Sequence, residues 1–191
     1  MRLHALLFRA TALFASAADD LVPAQECRPR AGVPNFLAKA NTPGAAVKIG
    51  YLGGSITAQN GWRPKTLAHF QKTWPQAKFS EINAAIGGTG SDLGVFRLKQ
   101  DVLDQQPDLL FVEFAVNDGG AAPEQIHRCM EGIVRQTWAT HPSTDICFVY
   151  TVNEPHLKDL LAGGLQSTAR SMEKIAAHYG LPTFNFGIEI A

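Results

Sequence analysis

Three short stretches hold residue types that could open an ester: GGSIT at 53–57, GGTGSD at 87–92 and VNDGG at 116–120. Ser55 can supply a hydroxyl nucleophile, and Gly53 and Gly54 before it permit a sharp turn and close backbone approach. Attack on a carbonyl creates an oxyanion, which needs hydrogen-bond donors already aimed at it. The Ser55 N–H, the Gly88 N–H and the Asn117 carboxamide could supply three. Glycine at 88 keeps side-chain bulk away from its amide, and asparagine at 117 is a neutral donor that does not titrate. Ser55, Gly88 and Asn117 are spaced by about 30 residues each time, one βαβ step. That regularity says more than any one stretch.

Taken singly, each stretch has a plain reading. Gly-Gly-Ser after a strand makes an ordinary turn. GGTGSDLG is a degenerate dinucleotide loop, with Leu93 where Gly-x-Gly-x-x-Gly wants its last glycine. Asn117-Asp118 before two glycines suits an Asx-type turn. A phosphate loop ending in Gly-Lys-Ser/Thr is absent. Thr57 occupies the position where the nucleophile elbow of α/β-hydrolases needs glycine.

The elements that must position these loops alternate. AAVKIGYL reads as a strand, and WRPKTLAHFQKTW as a helix with Pro64 in its first turn and Leu67, Phe70 and Trp74 on its apolar stripe. AKFSEINAAI is a second strand, followed by a helix over SDLGVFRLKQDVLDQQ with Asp92 in its first turn. DLLFVEFAV is a continuous apolar strand. The helix after it starts at about Pro123 and aligns Ile126, Cys129, Met130, Ile133, Val134 and Thr137. DICFVYT is the next strand, 166–179 a helix closed by Gly180 and Pro182, and TFNFG the start of a fifth strand. NFLAKA, at 35–40, makes a turn or two of helix capped by Asn35. This order predicts an α/β fold, a parallel sheet of about five strands covered by helices on both faces. Ligands of such sheets bind beyond the carboxyl ends of the strands, where all three stretches fall.

Composition excludes several classes of function. The 191 residues carry no net charge, so nothing draws the chain to nucleic acid or an anionic membrane. No stretch has the apolar length of a membrane span. Cys27, Cys129 and Cys147 are too scattered for a disulfide framework and match no zinc spacing; Cys129 and Cys147 read as small buried hydrophobes. Residues 1–17, with Arg2, an apolar run broken by Arg9 and Ala15-Ser16-Ala17, read as an export signal. Residues 18–44 form an extension, and 45–191 the domain that carries the chemistry. Oligomeric state has no signature.

YLGGSIT, INAAIGGTGSD and LLFVEFAVND together resemble the first three blocks of the SGNH hydrolases, the GDSL-type esterases and lipases, in order and spacing. The resemblance implies a flavodoxin-like three-layer α/β/α sandwich. It implies Ser55 as nucleophile and an oxyanion hole from Ser55 N–H, Gly88 and Asn117. Together with the export signal it implies an exported enzyme for small acyl esters, including carbohydrate O-acetyl groups, with no metal or organic cofactor. Gly54 replaces the aspartate of Gly-Asp-Ser, and Ala115 the glycine of Gly-x-Asn-Asp; neither position carries the chemical step in the family. The family's general base lies in a late Asp-x-x-His block, which this sequence lacks. The expectation is therefore a chain cut before its catalytic Asp and His, with little activity of its own.

A serine hydroxyl is a weak nucleophile without a base. His69, His127 and His178 ride on helices, His141 precedes a turn proline, and His4 is in the leader. His156 and Asp159, after the fourth strand, are at the correct edge in reversed order. Glu113, inside a doubly buried strand, requires nearby donors. The alternative to an enzyme is a non-catalytic flavodoxin-like binding module that uses the same loops to hold a phosphate or sugar.

Overall fold

The computed structural model describes residues 22–190; the segment read as an export signal lies outside them. One sheet of six strands organises the chain. β1 is Cys27–Arg28, β2 Ala46–Gly53, β3 Lys78–Ala85, β4 Leu109–Glu113, β5 Asp145–Tyr150 and β6 Thr183–Asn185. Their spatial order is β1-β6-β5-β4-β2-β3. β2 to β6 are parallel, the order of a flavodoxin-like sheet, and the chain reverses direction across the sheet at β2. The five parallel strands are those read from the sequence. The sixth, β1, comes from the N-terminal extension and pairs antiparallel with β6.

Every residue of β4 and of β5 is buried, Glu113 and Asp145 included, which is why both read as nearly continuous apolar runs. Alternate side chains of β2 enter opposite cores. Leu52 joins Val112, Phe148 and Tyr150 under α4 (Ser91–Asp101), α5 (Pro123–Thr140) and α7 (Ser167–Tyr179). Val47, Ile49 and Tyr51 face the other way, against Phe36 of α1 (Pro34–Ala40), Leu67 and Phe70 of α3 (Trp62–Thr73) and its C-cap residue Trp74. The result is the three-layer sandwich expected from the alternation.

Three local expectations are corrected. Val33, not Asn35, is the N-cap of α1. The Asn35 amide instead donates to Asp145 Oδ1 at 3.1 Å, and Phe36 N–H to Oδ2 at 2.7 Å, so a carboxyl from β5 meets the first turn. The helix that begins at Ser91 stops at Asp101, and a 3-10 turn, Leu103–Gln105, replaces its last turn. Gln106 then takes a left-handed φ of 57° as the C-cap of that turn, and Pro107 follows it. Glu154–Leu161, read as loop, is a helix, α6, with Pro155 in its first turn.

β1 is held by charge as well as by pairing. Glu173 on α7 is buried; it meets Arg28 Nε at 3.0 Å, the Arg30 guanidinium, and the Tyr150 hydroxyl at 2.7 Å. Glu173→Ala would strand two arginines beside a buried phenol, and breaking such a pair costs about 3 kcal/mol. Urea unfolding is expected to show that loss in the midpoint, with the slope unchanged.

Candidate active site

β2 ends beside β3 at Gly53 and Ala85, and beside β4 at Gly53 and Glu113. The three stretches leave the sheet at these ends, so the reversal at β2 brings them together. Ser55 is the first residue of a single-turn helix, α2 (Ser55–Ala58), after an extended Gly54. The first amides of a helix have no acceptor within it, which leaves the Ser55 N–H free. Its side chain is half-buried and bonds no described residue.

Gly87, not Gly88, abuts the serine: a Cβ on Gly87 would stand 3.6 Å from Ser55 Cβ. Gly88 follows at φ +77° with nothing within 4 Å of its Cβ position. A left-handed turn that side chains resist thus carries the chain past Ser55 beside open space.

Asn117 closes the remaining side. A Cβ on Gly54 would lie 2.0 Å from Asn117 Oδ1 and 2.8 Å from Nδ2, so the carboxamide fills the space a side chain at 54 would take. The Oδ1 end is buried without a donor, and the Nδ2 end has no acceptor among the described residues. Ser55, Gly88 and Asn117 are therefore gathered at one sheet edge.

Beneath them runs a layer of buried polar side chains: Thr57, Glu113, Thr151, Gln166 and Thr168. Thr57 Oγ1 donates to Glu113 Oε2 at 2.7 Å, and Thr151 Oγ1 to Oε1 at 2.6 Å. The Gly54 N–H faces the same carboxyl. Burial raises the Glu113 pKa, these three groups oppose the shift, and Asp118 adds a smaller rise. The need for donors was legible in the sequence; Thr57 and Thr151 as their source was not.

Asp118 was also missed. Its Oδ1 accepts the Ser91 N–H at 2.8 Å at the head of α4, which ties the third loop to the second. Its Oδ2 is buried without a partner, and burial, opposed by the bonds from Ser91, raises its pKa. A carboxyl with a raised folded pKa binds its proton more tightly in the native state. Its contribution to stability is full below the unfolded value, about 3.9, and lost as pH rises through the folded one. Asp118→Asn keeps the oxygen that caps α4. Unfolding followed from about pH 4 upward is expected to show the variant gaining on the parent protein.

Among the described histidines, His69, His127 and His178 ride on α3, α5 and α7. His141 Nε2 is 2.8 Å from Leu103 O, at the amino ends of the strands. His156 on α6 alone borders this site: its Nε2 is 3.9 Å from the Cβ position of Gly119. Its Nδ1 is buried and unpartnered. Burial lowers its pKa, and Asp159 one turn on works against the shift. Ser55 and His156 make no bond. No group of acidic, His and Cys side chains among the described residues could hold a metal ion. No described helix is long and apolar enough to cross a membrane.

Known proteins bear on this arrangement. A two-domain esterase (CEX) active on acetylated mannans is 30% identical, with a TM-score of 0.69 over 81% of this chain. The chain spans only 40% of that structure. A lipase/acylhydrolase from Enterococcus faecalis shares the fold at 18% identity and a TM-score of 0.57, over 72% of this chain and 74% of its own. AlinE4, an SGNH-hydrolase family esterase, does so at 22% identity and 0.56, over 76% of this chain and 78% of its own. No curated protein sequence matches the chain significantly. The family model for GDSL-like lipases and acylhydrolases matches residues 51–189, from the end of β2, just before Ser55, to past β6. The chain, with its three loops converging on one edge of a flavodoxin-like sheet, belongs to the GDSL-like lipase/acylhydrolase family.

Proposed function

We propose that this chain carries the nucleophile and oxyanion hole of a serine hydrolase for small acyl esters, with O-acetyl groups on carbohydrate as the substrate class. Ser55 Oγ attacks the acyl carbonyl while a base takes its proton. The Ser55 N–H, the Gly88 N–H and the Asn117 amide receive the oxyanion. The alcohol leaves with a proton, and water then releases the acyl group from Ser55. No described residue is assigned as the base, since His156 borders Gly119 rather than Ser55. Residues 1–17, read as an export signal, place the reaction outside the cytoplasm in this proposal.

One observation carries the reading: the Gly54 Cα is in contact with the Asn117 carboxamide while Gly87 abuts Ser55, so the nucleophile's turn touches both other loops. The likeness to an esterase active on acetylated mannans supports the choice of acyl donor. Incubation with p-nitrophenyl acetate, then with acetylated manno-oligosaccharide, should leave an acetyl group on the peptide containing Ser55, seen by mass spectrometry after an acid quench. Saccharide binding without any acetyl transfer would favour the binding module.

A further inference from the structure

We propose that Glu113 is the positioning residue of this site: its carboxyl group holds the turn from Gly53 to Ala58, and through that turn sets Ser55 against Asn117. The inference rests on the ester-hydrolase reading and adds a residue that does not touch the substrate.

Glu113 is the last residue of β4, fully buried, and forms no ion pair among the described residues. A carboxyl in that position is expensive, and an apolar side chain would fill the volume at less cost. An apolar side chain could not accept the two hydrogen bonds that converge here. They come from Thr57 in α2 and Thr151 just after β5, and the Gly54 amide in the turn faces the same carboxyl. Gly54 lies past the last paired residue of β2, so its N–H has left the ladder on the side of the Glu113 carboxyl.

The same turn is closed sterically. A Cβ on Gly53 would stand 2.7 Å from Thr57 Oγ1 and 2.8 Å from the Glu113 carbonyl oxygen. Gly53 and Thr57 are thus packed together over Glu113, Thr57 is pinned to its carboxyl, and Gly54 between them has Asn117 on its open side. Movement of the Glu113 carboxyl shifts the residue before the nucleophile and the surface against which Asn117 rests. On the far side, the Thr151 carbonyl oxygen accepts from Gln166 Nε2 at 2.9 Å, which anchors the bond to the N-cap of α7. The turn is therefore fastened to the framework rather than to another loop.

Glu113→Gln keeps shape and removes one acceptor; Thr57→Val removes one donor at similar volume, and Thr57→Ser restores it. With p-nitrophenyl acetate, Glu113→Gln is expected to lower kcat by about 10- to 100-fold, the scale of a small misplacement, with KM within about 2-fold. Thr57→Val should fall between, Thr57→Ser should recover, and amide hydrogen exchange should rise at 53–58 in the first two variants only. Unchanged kcat and exchange in Glu113→Gln would overturn the proposal. So would a loss confined to KM, or one that tracks the unfolded fraction in a thermal melt. Ser55→Ala is run alongside. If the parent protein shows no turnover or acetylation that depends on Ser55, the hydrolase reading fails. The exchange at 53–58 then decides by itself whether Glu113 holds the turn.

Discussion

Ser55→Ala is expected to remove acetylation of the chain and, where a base serves the serine, to lower kcat for p-nitrophenyl acetate by about 10⁴- to 10⁶-fold, the loss seen when a serine nucleophile is deleted. Such a loss means that the serine acts with partners, since an isolated hydroxyl contributes little. The residue to be removed is half-buried and bonds no described residue, so the fold loses a single free hydroxyl. Its backbone stays in α2, and alanine suits a helix at least as well as serine. Unfolding stability should therefore stay within about 0.5 kcal/mol, as for a substitution that breaks no named contact. Residual rate from the proposed oxyanion donors would remain in the variant, as it does in known serine hydrolases. Turnover unchanged by the substitution, followed as p-nitrophenolate release, would sink the assignment of Ser55.

The second large effect should come from one methyl group. Gly54→Ala is expected to lower kcat by about 10²- to 10³-fold, the cost of one oxyanion donor, while the protein stays folded. The backbone at Gly54, φ −91° and ψ −154°, is open to alanine, so no strain arises there. The added Cβ would instead arrive 2.0 Å from Asn117 Oδ1, and the end of that side chain must move. Swinging a carboxamide aside costs the fold little; the proposed donor is what it displaces. Asn117→Ala should match the loss, and the double variant should lose no more than either alone, because both changes remove one interaction. Additive losses would show that Gly54 acts by another route. Gly53→Ala is the contrast: its Cβ meets the Thr57 side chain and the Glu113 backbone carbonyl, and that substitution should cost stability first.

Gly54 stands where the resemblance leads one to expect aspartate. In this chain Asn117 leans onto its bare Cα, a contact between loops that follow different strands and that no motif records. Glu113 illustrates the same divide. Its presence inside an apolar strand called for donors, yet Thr57 and Thr151 lie on either side of it in the chain, 56 and 38 residues away. The extension before β2 showed only prolines and a short helix. Its two-residue strand is too brief for any periodicity and exists because β6 offers it an edge.

What the sequence determined by itself was the repeating part. Strand and helix periods are properties of consecutive residues, so the alternation, the parallel sheet and the three loops at its carboxyl edge could be read without coordinates. The tertiary structure decided which atoms meet at that edge: Gly87 rather than Gly88 against Ser55, Asn117 in the space over Gly54, and Glu113 under the turn. Hydrogen bonds and close contacts act over a few ångströms, and here they join residues that only the order of strands brings within that range. The question of the serine's role thus passes to the buried carboxyl beneath it.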